Sequence, residues 1–157
     1  TQGVSSAASD VYKRQGNTFI ATYGSLRRKM QNFGVNARGG GEFVASGKTT
    51  QNFDLYRYGG SYFPSVSLEH SDSEKPVVVD VFEAPLDGLT GAYDMLEGYP
   101  SFYNRTPVEI QTDDGEVLVA WIYHIDKVQS TRVESGDWCT FNRPDYYETL
   151  NSEDEDF

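Results

Sequence analysis

The sequence predicts an α+β domain, a small mixed-sheet β-barrel with flanking helices. Three observations carry that reading. Seven short segments have strand patterning, whereas one stretch alone has apolar residues at helical spacing. Aromatic residues make up 14% of the chain, with 11 Tyr and 9 Phe, a mix that suits a sheet with an aromatic-lined cavity better than a helical bundle. Finally, Asp113-Asp114-Gly115 separates two strand-like segments, and an Asp-Gly pair in that position signals a hairpin. At 157 residues the chain has room for one proper core.

At the N-terminus, residues 1–17 include Ser5-Ser6-Ala7-Ala8-Ser9-Asp10-Val11-Tyr12-Lys13-Arg14-Gln15, which resembles translated adapter sequence from environmental reading frames. They are set aside as a non-native or disordered leader, hinting at a microbial or viral source. Thr18-Phe19-Ile20-Ala21-Thr22-Tyr23 is a near-continuous apolar strand of the kind buried on both faces. Strands are expected at 41–49, 53–58, 65–68 and 76–83, the last built on Val77-Val78-Val79 and Val81-Phe82. Leu86, Leu89, Tyr93 and Leu96 predict a helix, which Gly98 and Pro100 stop. Two further strands, 105–111 and 116–125, flank the hairpin. The domain is expected to span 18–138, with 139–157 an extension whose Glu153-Asp154-Glu155-Asp156 end is a solvated, disordered tail.

Bulk properties narrow the function classes. A net charge of -11 would repel a polyphosphate surface, so no nucleic-acid polymer is expected as a partner. No apolar run reaches transmembrane length and no signal peptide is evident, so no membrane partner and a cytoplasmic location are expected. The single cysteine, Cys139, excludes an intramolecular disulfide and any multi-thiolate metal site, and reads as a small buried side chain. His70 and His124 are far apart without ligand spacing, so no metal site is expected. The chain's charge does not oppose a local pocket for a small anion.

Two features carry chemistry. Tyr23-Gly24-Ser25-Leu26 closes the first strand in a tight turn, and such a turn can aim successive amides at one point to hold an anion. Arg27 and Arg28 would add positive charge, and Ser25 a hydroxyl. An ordinary loop is the other reading. Glu97 lies at the expected helix C-terminus, where the dipole disfavours a carboxylate and raises its pKa, as burial would too. A carboxyl pushed toward neutrality suits general acid–base work. An exposed helix-end glutamate is the alternative. Gly41 to Thr49 superficially resembles a phosphate-binding loop, but five residues separate its glycines where the motif needs four, so nucleotide triphosphate hydrolysis is rejected. The sequon Asn104-Arg105-Thr106 reads as accidental.

With these pieces the chain resembles the gamma-glutamylcyclotransferase-like superfamily, in particular its small AIG2-like branch. Phe19 to Arg27 with Tyr-Gly-Ser-Leu-Arg, Phe53 to Pro64, the Val-rich strand, and Leu96-Glu97-Gly98-Tyr99-Pro100 through Tyr103-Asn104-Arg105 occur in the family's order. Ala120 to Tyr123 and Gly136-Asp137-Trp138 close the pattern. The resemblance implies a compact barrel that converts a gamma-glutamyl amine or amino acid to 5-oxoproline and free amine without a cofactor. It implies that Tyr23, Gly24, Ser25 and Leu26 hold the amino-acid end of the substrate, that Glu97 is the acid–base, and that Tyr103 and Arg105 lie near the pocket. Arg27 joins the expected binding set. Two departures bear on the rim. Gln31-Asn32-Phe33 stands where relatives have a Gly-Asn-His-like stretch, and Gly59-Gly60-Ser61-Tyr62-Phe63-Pro64 carries two extra residues. The alternative function is a non-catalytic binding protein that sequesters a small anionic metabolite or nucleotide-derived signal, favoured if Arg27, Arg28, Arg38 and Arg105 gather at one cavity mouth. Oligomeric state stays open.

Overall fold

A computed structural model describes residues 16–150. β1 (Asn17–Thr22), β2 (Glu42–Thr49), β5 (Val78–Pro85), β6 (Asn104–Thr112) and β7 (Val117–His124) close a five-stranded barrel in the order β1-β5-β2-β6-β7. Every neighbouring pair is antiparallel except the closing one, where β7 returns parallel to β1. β3 (Asp54–Arg57), β4 (Pro64–Ser67) and β8 (Thr131–Arg132) form a second, three-stranded sheet in the order β4-β3-β8. The predicted barrel is the observed one.

The packing reflects strand alternation. Phe19 and Ala21 of β1 join Val79, Val81, Ile110 and Ile122 in the main core, while the intervening Ile20 points to a second cluster under the helical segment. A strand apolar at every position is therefore covered on both faces, as its run predicts. β2 carries one extra residue, Val44, between Phe43 and Ala45, a bulge that bends the strand around the barrel.

Helices are short. α1 (Val35–Arg38) comes after the loop that leaves β1. The helical stretch predicted at 86–96 is composite: α2 (Leu86–Gly88), a π-helical turn (Leu89–Tyr93) and α3 (Asp94–Glu97). The wide turn rotates α3 relative to α2, so Leu89 and Tyr93 are buried but Leu96 swings to the surface. Gly98 closes α3 in the left-handed conformation, φ 69°, and the Tyr99 amide donates back to the Asp94 carbonyl. A methyl added at Gly88 would fall 1.8 Å from the Gly39 carbonyl oxygen, a backbone contact with no room to give. Gly88→Ala is expected to cost about 3 kcal/mol through overpacking, read as a lower urea midpoint at unchanged m.

The expected leader overlaps the described residues only at Gly16 and Asn17, and Asn17 already belongs to β1. α4 (Trp138–Asn142) spans the expected boundary at 138/139, and α5 (Tyr146–Leu150) returns Tyr146 to the main core beside Cys139. Asp137 caps α4 by accepting from the Cys139 and Thr140 amides. The acidic tail lies outside the described residues.

Candidate active site

A cavity of about 220 Å³ opens where the loop after β1 meets the end of α3 and the start of β4. Tyr23, Gly24, Ser25 and Leu26 line it, with Glu97 and Tyr103, and Pro64 and Tyr123 complete the deeper wall. Six sequence-predicted residues are thus brought together, although they come from segments some eighty residues apart in the chain.

The loop is held from outside. The Arg27 amide donates to the Gly24 carbonyl, the Asn32 amide to the Ser25 carbonyl, and Asn36 Nδ2 to the Leu26 carbonyl. The carbonyls are therefore turned away into the protein. Among the described residues, nothing accepts from the Gly24, Ser25 and Leu26 amides, which leaves three donors on a cavity-lining turn. Asn32 Nδ2 donates to Ser25 Oγ at 2.8 Å, which leaves the hydroxyl proton for a ligand.

Tyrosines fix the walls. Tyr23 Oη donates to the Tyr123 carbonyl at 2.7 Å and accepts from the Val66 amide, joining barrel to second sheet. Tyr103 Oη donates to the Pro64 carbonyl at 2.6 Å. Burial first, then Glu97, pushes the Tyr103 phenol far above its ordinary pKa, and burial raises Tyr23 likewise. Both are neutral at any physiological pH.

Glu97 sits at the wall with protein on most sides. Burial pushes its carboxyl from 4.5 up to about 7. Desolvation is the cause; the four-residue α3 adds little dipole, so the expected electrostatic reason is replaced by a simpler one. Three residues earlier on the same turn, Asp94 receives Arg105 through both oxygens, Nε at 2.8 Å and Nη2 at 3.0 Å, and Tyr123 Oη at 2.6 Å. The guanidinium also lies over the Tyr99 ring at 4.2 Å and the Trp121 ring at 4.6 Å. Arg105 therefore does not line the cavity. It clamps the turn that carries Glu97. Arg105→Lys loses the fork and the stacking. Its expected signature is a roughly tenfold lower kcat at nearly unchanged KM, since misplacement weakens proton transfer more than binding.

Arg27, in the expected binding set, does not line the cavity either. Its side chain is fully buried on the opposite side of the loop, at 3.3 Å from both Asp80 Oδ1 and Asp137 Oδ1, with the Tyr146 and Tyr147 rings alongside. Asp80 also accepts from the Arg28 amide and from Ser46 Oγ. These charges hold the loop down. Among the described residues no Arg, Lys or His lines the cavity, so the four arginines that would favour an anion sequestrant are not gathered there. Nor does any group of three or more His, Cys, Asp or Glu among them stand ready to hold a metal ion. No described helix is long and apolar enough to cross a membrane. Cys139 is buried with its thiol pushed up to about 12 by burial.

The sequence alone does not single out Asp94, Tyr123, Phe63 and Phe102 as site residues. Asp94 has one available signal, its place one turn before Glu97.

Among the described residues Glu97 is the one acid lining this cavity, which it shares with a turn whose Gly24, Ser25 and Leu26 amides have no acceptor. The chain belongs to the Gamma-glutamyl cyclotransferase, AIG2-like family, whose model matches residues 20–140. Among solved structures, it is similar to an AIG2-like protein from Mus musculus, 23% identical over 73% of this chain and 80% of that one, with a TM-score of 0.64. An uncharacterized protein from Pyrococcus horikoshii is 20% identical over 83% and 97% of the two chains, TM-score 0.56. A structure described as a gamma-glutamyl cyclotransferase is 15% identical over 74% and 70%, TM-score 0.58. At these identities the likeness shows the fold. No curated protein sequence matches the chain.

Proposed function

We propose that the protein is a cofactor-free cyclotransferase that converts a gamma-glutamyl amine or amino acid to 5-oxoproline and free amine, with Glu97 as the acid–base. The observation that carries this reading is a carboxyl at about pKa 7 in the same small cavity as three unpartnered amides. The substrate's α-carboxylate docks on the amides of Gly24, Ser25 and Leu26, with the Ser25 hydroxyl beside them. Tyr23 and Tyr103 shape the wall as neutral side chains.

Glu97 accepts a proton from the α-ammonium, and the freed lone pair attacks the γ-carbonyl carbon. The new C–N bond closes the five-membered ring. As the old C–N bond breaks, Glu97 delivers the proton to the departing nitrogen. The second proton shed by the α-nitrogen takes the same route, so the amine leaves protonated. Raising the acceptor from 4.5 to about 7 lowers the cost of this transfer by about 3 kcal/mol relative to an ordinary glutamate. Nucleophile and electrophile belong to one molecule, so holding one curled conformer removes much of the remaining barrier.

The partner is a small molecule with an amino-acid-like end, and the cytoplasm is the setting that a single thiol and intracellular amino-acid chemistry suit. Incubation with a panel of gamma-glutamyl compounds should release 5-oxoproline stoichiometrically with amine. Amine release without 5-oxoproline would point to hydrolysis and overturn cyclotransfer.

A further inference from the structure

The cavity's mouth differs in kind from its floor. Phe63, Leu96 and Phe102 line its outer part; Phe102 is 42% exposed and Leu96 40%, large apolar side chains left facing water. The rings are organised. Tyr58 stacks on Phe63 at 5.1 Å and 16°, and Phe102 meets Tyr58, Phe63 and Tyr103 edge-on at 5.2, 5.9 and 5.1 Å. Four mutually braced rings make a rigid surface, and a rigid aromatic surface binds another ring at little entropic cost.

Volume and charge say what part of the substrate reaches this surface. About 220 Å³ is below the range of cavities that engulf a whole drug-sized ligand, so the floor takes the glutamyl group and little more. The group attached to its γ-carbonyl must lie along the mouth. There, no described Arg, Lys or His lines the cavity to meet a second carboxylate; Arg105 is engaged by Asp94, and Arg27 and Arg28 by Asp80. Glu97, when ionised, would repel one.

We propose that the preferred leaving group is an arylalkyl amine without a carboxylate, its ring seated on the Phe63–Phe102 rim. This rests on the cyclotransfer reading for the chemistry, and on the rim alone for the specificity. An arylalkyl amide presents its ring to Phe63 and Phe102 and its C–N bond to Glu97. Gamma-glutamylglycine has no ring to lay on Phe63 and Phe102, and its carboxylate meets no described cation on the cavity lining.

The test compares kcat/KM for gamma-glutamyl-2-phenylethylamide and gamma-glutamylglycine by 5-oxoproline release. The expected result is at least a tenfold preference for the aromatic amide. Phe102→Ala should narrow the ratio to within about threefold, mainly by raising KM for the aromatic compound, and Phe102→Leu should keep part of it. Phe102 is exposed enough that the truncation should leave the fold intact, which a thermal melt checks. A preference for gamma-glutamylglycine, or a ratio that Phe102→Ala does not move, overturns the proposal; Arg57, opposite Pro64 across β3 and β4, would then be the cation to examine. If neither compound yields 5-oxoproline, cyclotransfer falls. Calorimetry with the same two compounds still decides the rim's role: tighter binding of the aromatic amide supports it, and equal or absent binding overturns it.

Discussion

Glu97→Gln should lower turnover at least a thousandfold while substrate still binds. The substitution keeps size and polarity but removes, among the described residues, the one group lining the cavity able to carry a proton near neutrality. Positioned acid–base groups contribute 10² to 10⁴. Here one carboxyl serves both the attack and the departure, which places the loss at the upper end. In the wild type, the acid limb of the kcat/KM profile should fall near pH 7, the value burial gives Glu97. The same residue should show a stability signature of definite sign. The folded protein holds the Glu97 proton more tightly than the unfolded chain, at about 7 against 4.5. Stability from this group is therefore full below pH 4.5, falls as pH rises toward 7, and is absent above it. The span is about 3 kcal/mol. Glu97→Gln should thus gain melting temperature relative to wild type at pH 8 and lose that advantage at pH 4.5. Full turnover in this variant would remove Glu97 from the mechanism; a flat stability difference across that range would mean the carboxyl is solvated.

Arg27→Met should destabilise the fold by about 3 to 5 kcal/mol, the cost of leaving a buried ion pair without one partner. Asp80 is fully buried and Asp137 nearly so, and both face this guanidinium. Without it, two carboxylates would share a dry space. Urea unfolding measures the loss, and adding Asp80→Asn should recover part of it by discharging one of the two. The fraction that stays folded should show a near-normal KM, because the guanidinium faces away from the cavity. An undisturbed midpoint with a raised KM would return Arg27 to the substrate site.

The strands are legible in the sequence because their signal is local. Runs such as Phe19-Ile20-Ala21 and Val77-Val78-Val79 declare burial on two faces without reference to any partner, and the Asp114-Gly115 turn sets β6 against β7. Glu97 and the Tyr23–Leu26 turn are legible through the resemblance, and they come together in space. Chain adjacency is the poorer guide. Arg27 directly succeeds Leu26, yet the turn sends the two side chains to opposite sides, and its partners lie 53 and 110 residues away. Arg105 is placed near the pocket by the resemblance, and its fork meets an aspartate on the helical turn. The segment from Trp138 to Leu150 has too few residues per helix for a period to show, and its packing rests on single aromatic anchors such as Tyr146. The π-helical turn leaves no mark at all, since its wider register arises from what α2 and α3 pack against.

Tyr23 contributes one hydrogen bond to β7 and receives one amide from β4 while its ring forms part of the cavity. The molecule is thereby divided into a portion that cannot drift and a portion that can. Any change to the floor unsettles the seam between the two sheets, so selection for a new glutamyl-end chemistry would be met first by loss of folding. The Phe63 and Phe102 side chains at the mouth make no hydrogen bond across that seam. Descendants of this chain, in nature or in a mutagenesis library, should diversify in the amine they release long before they alter the acid they cyclise.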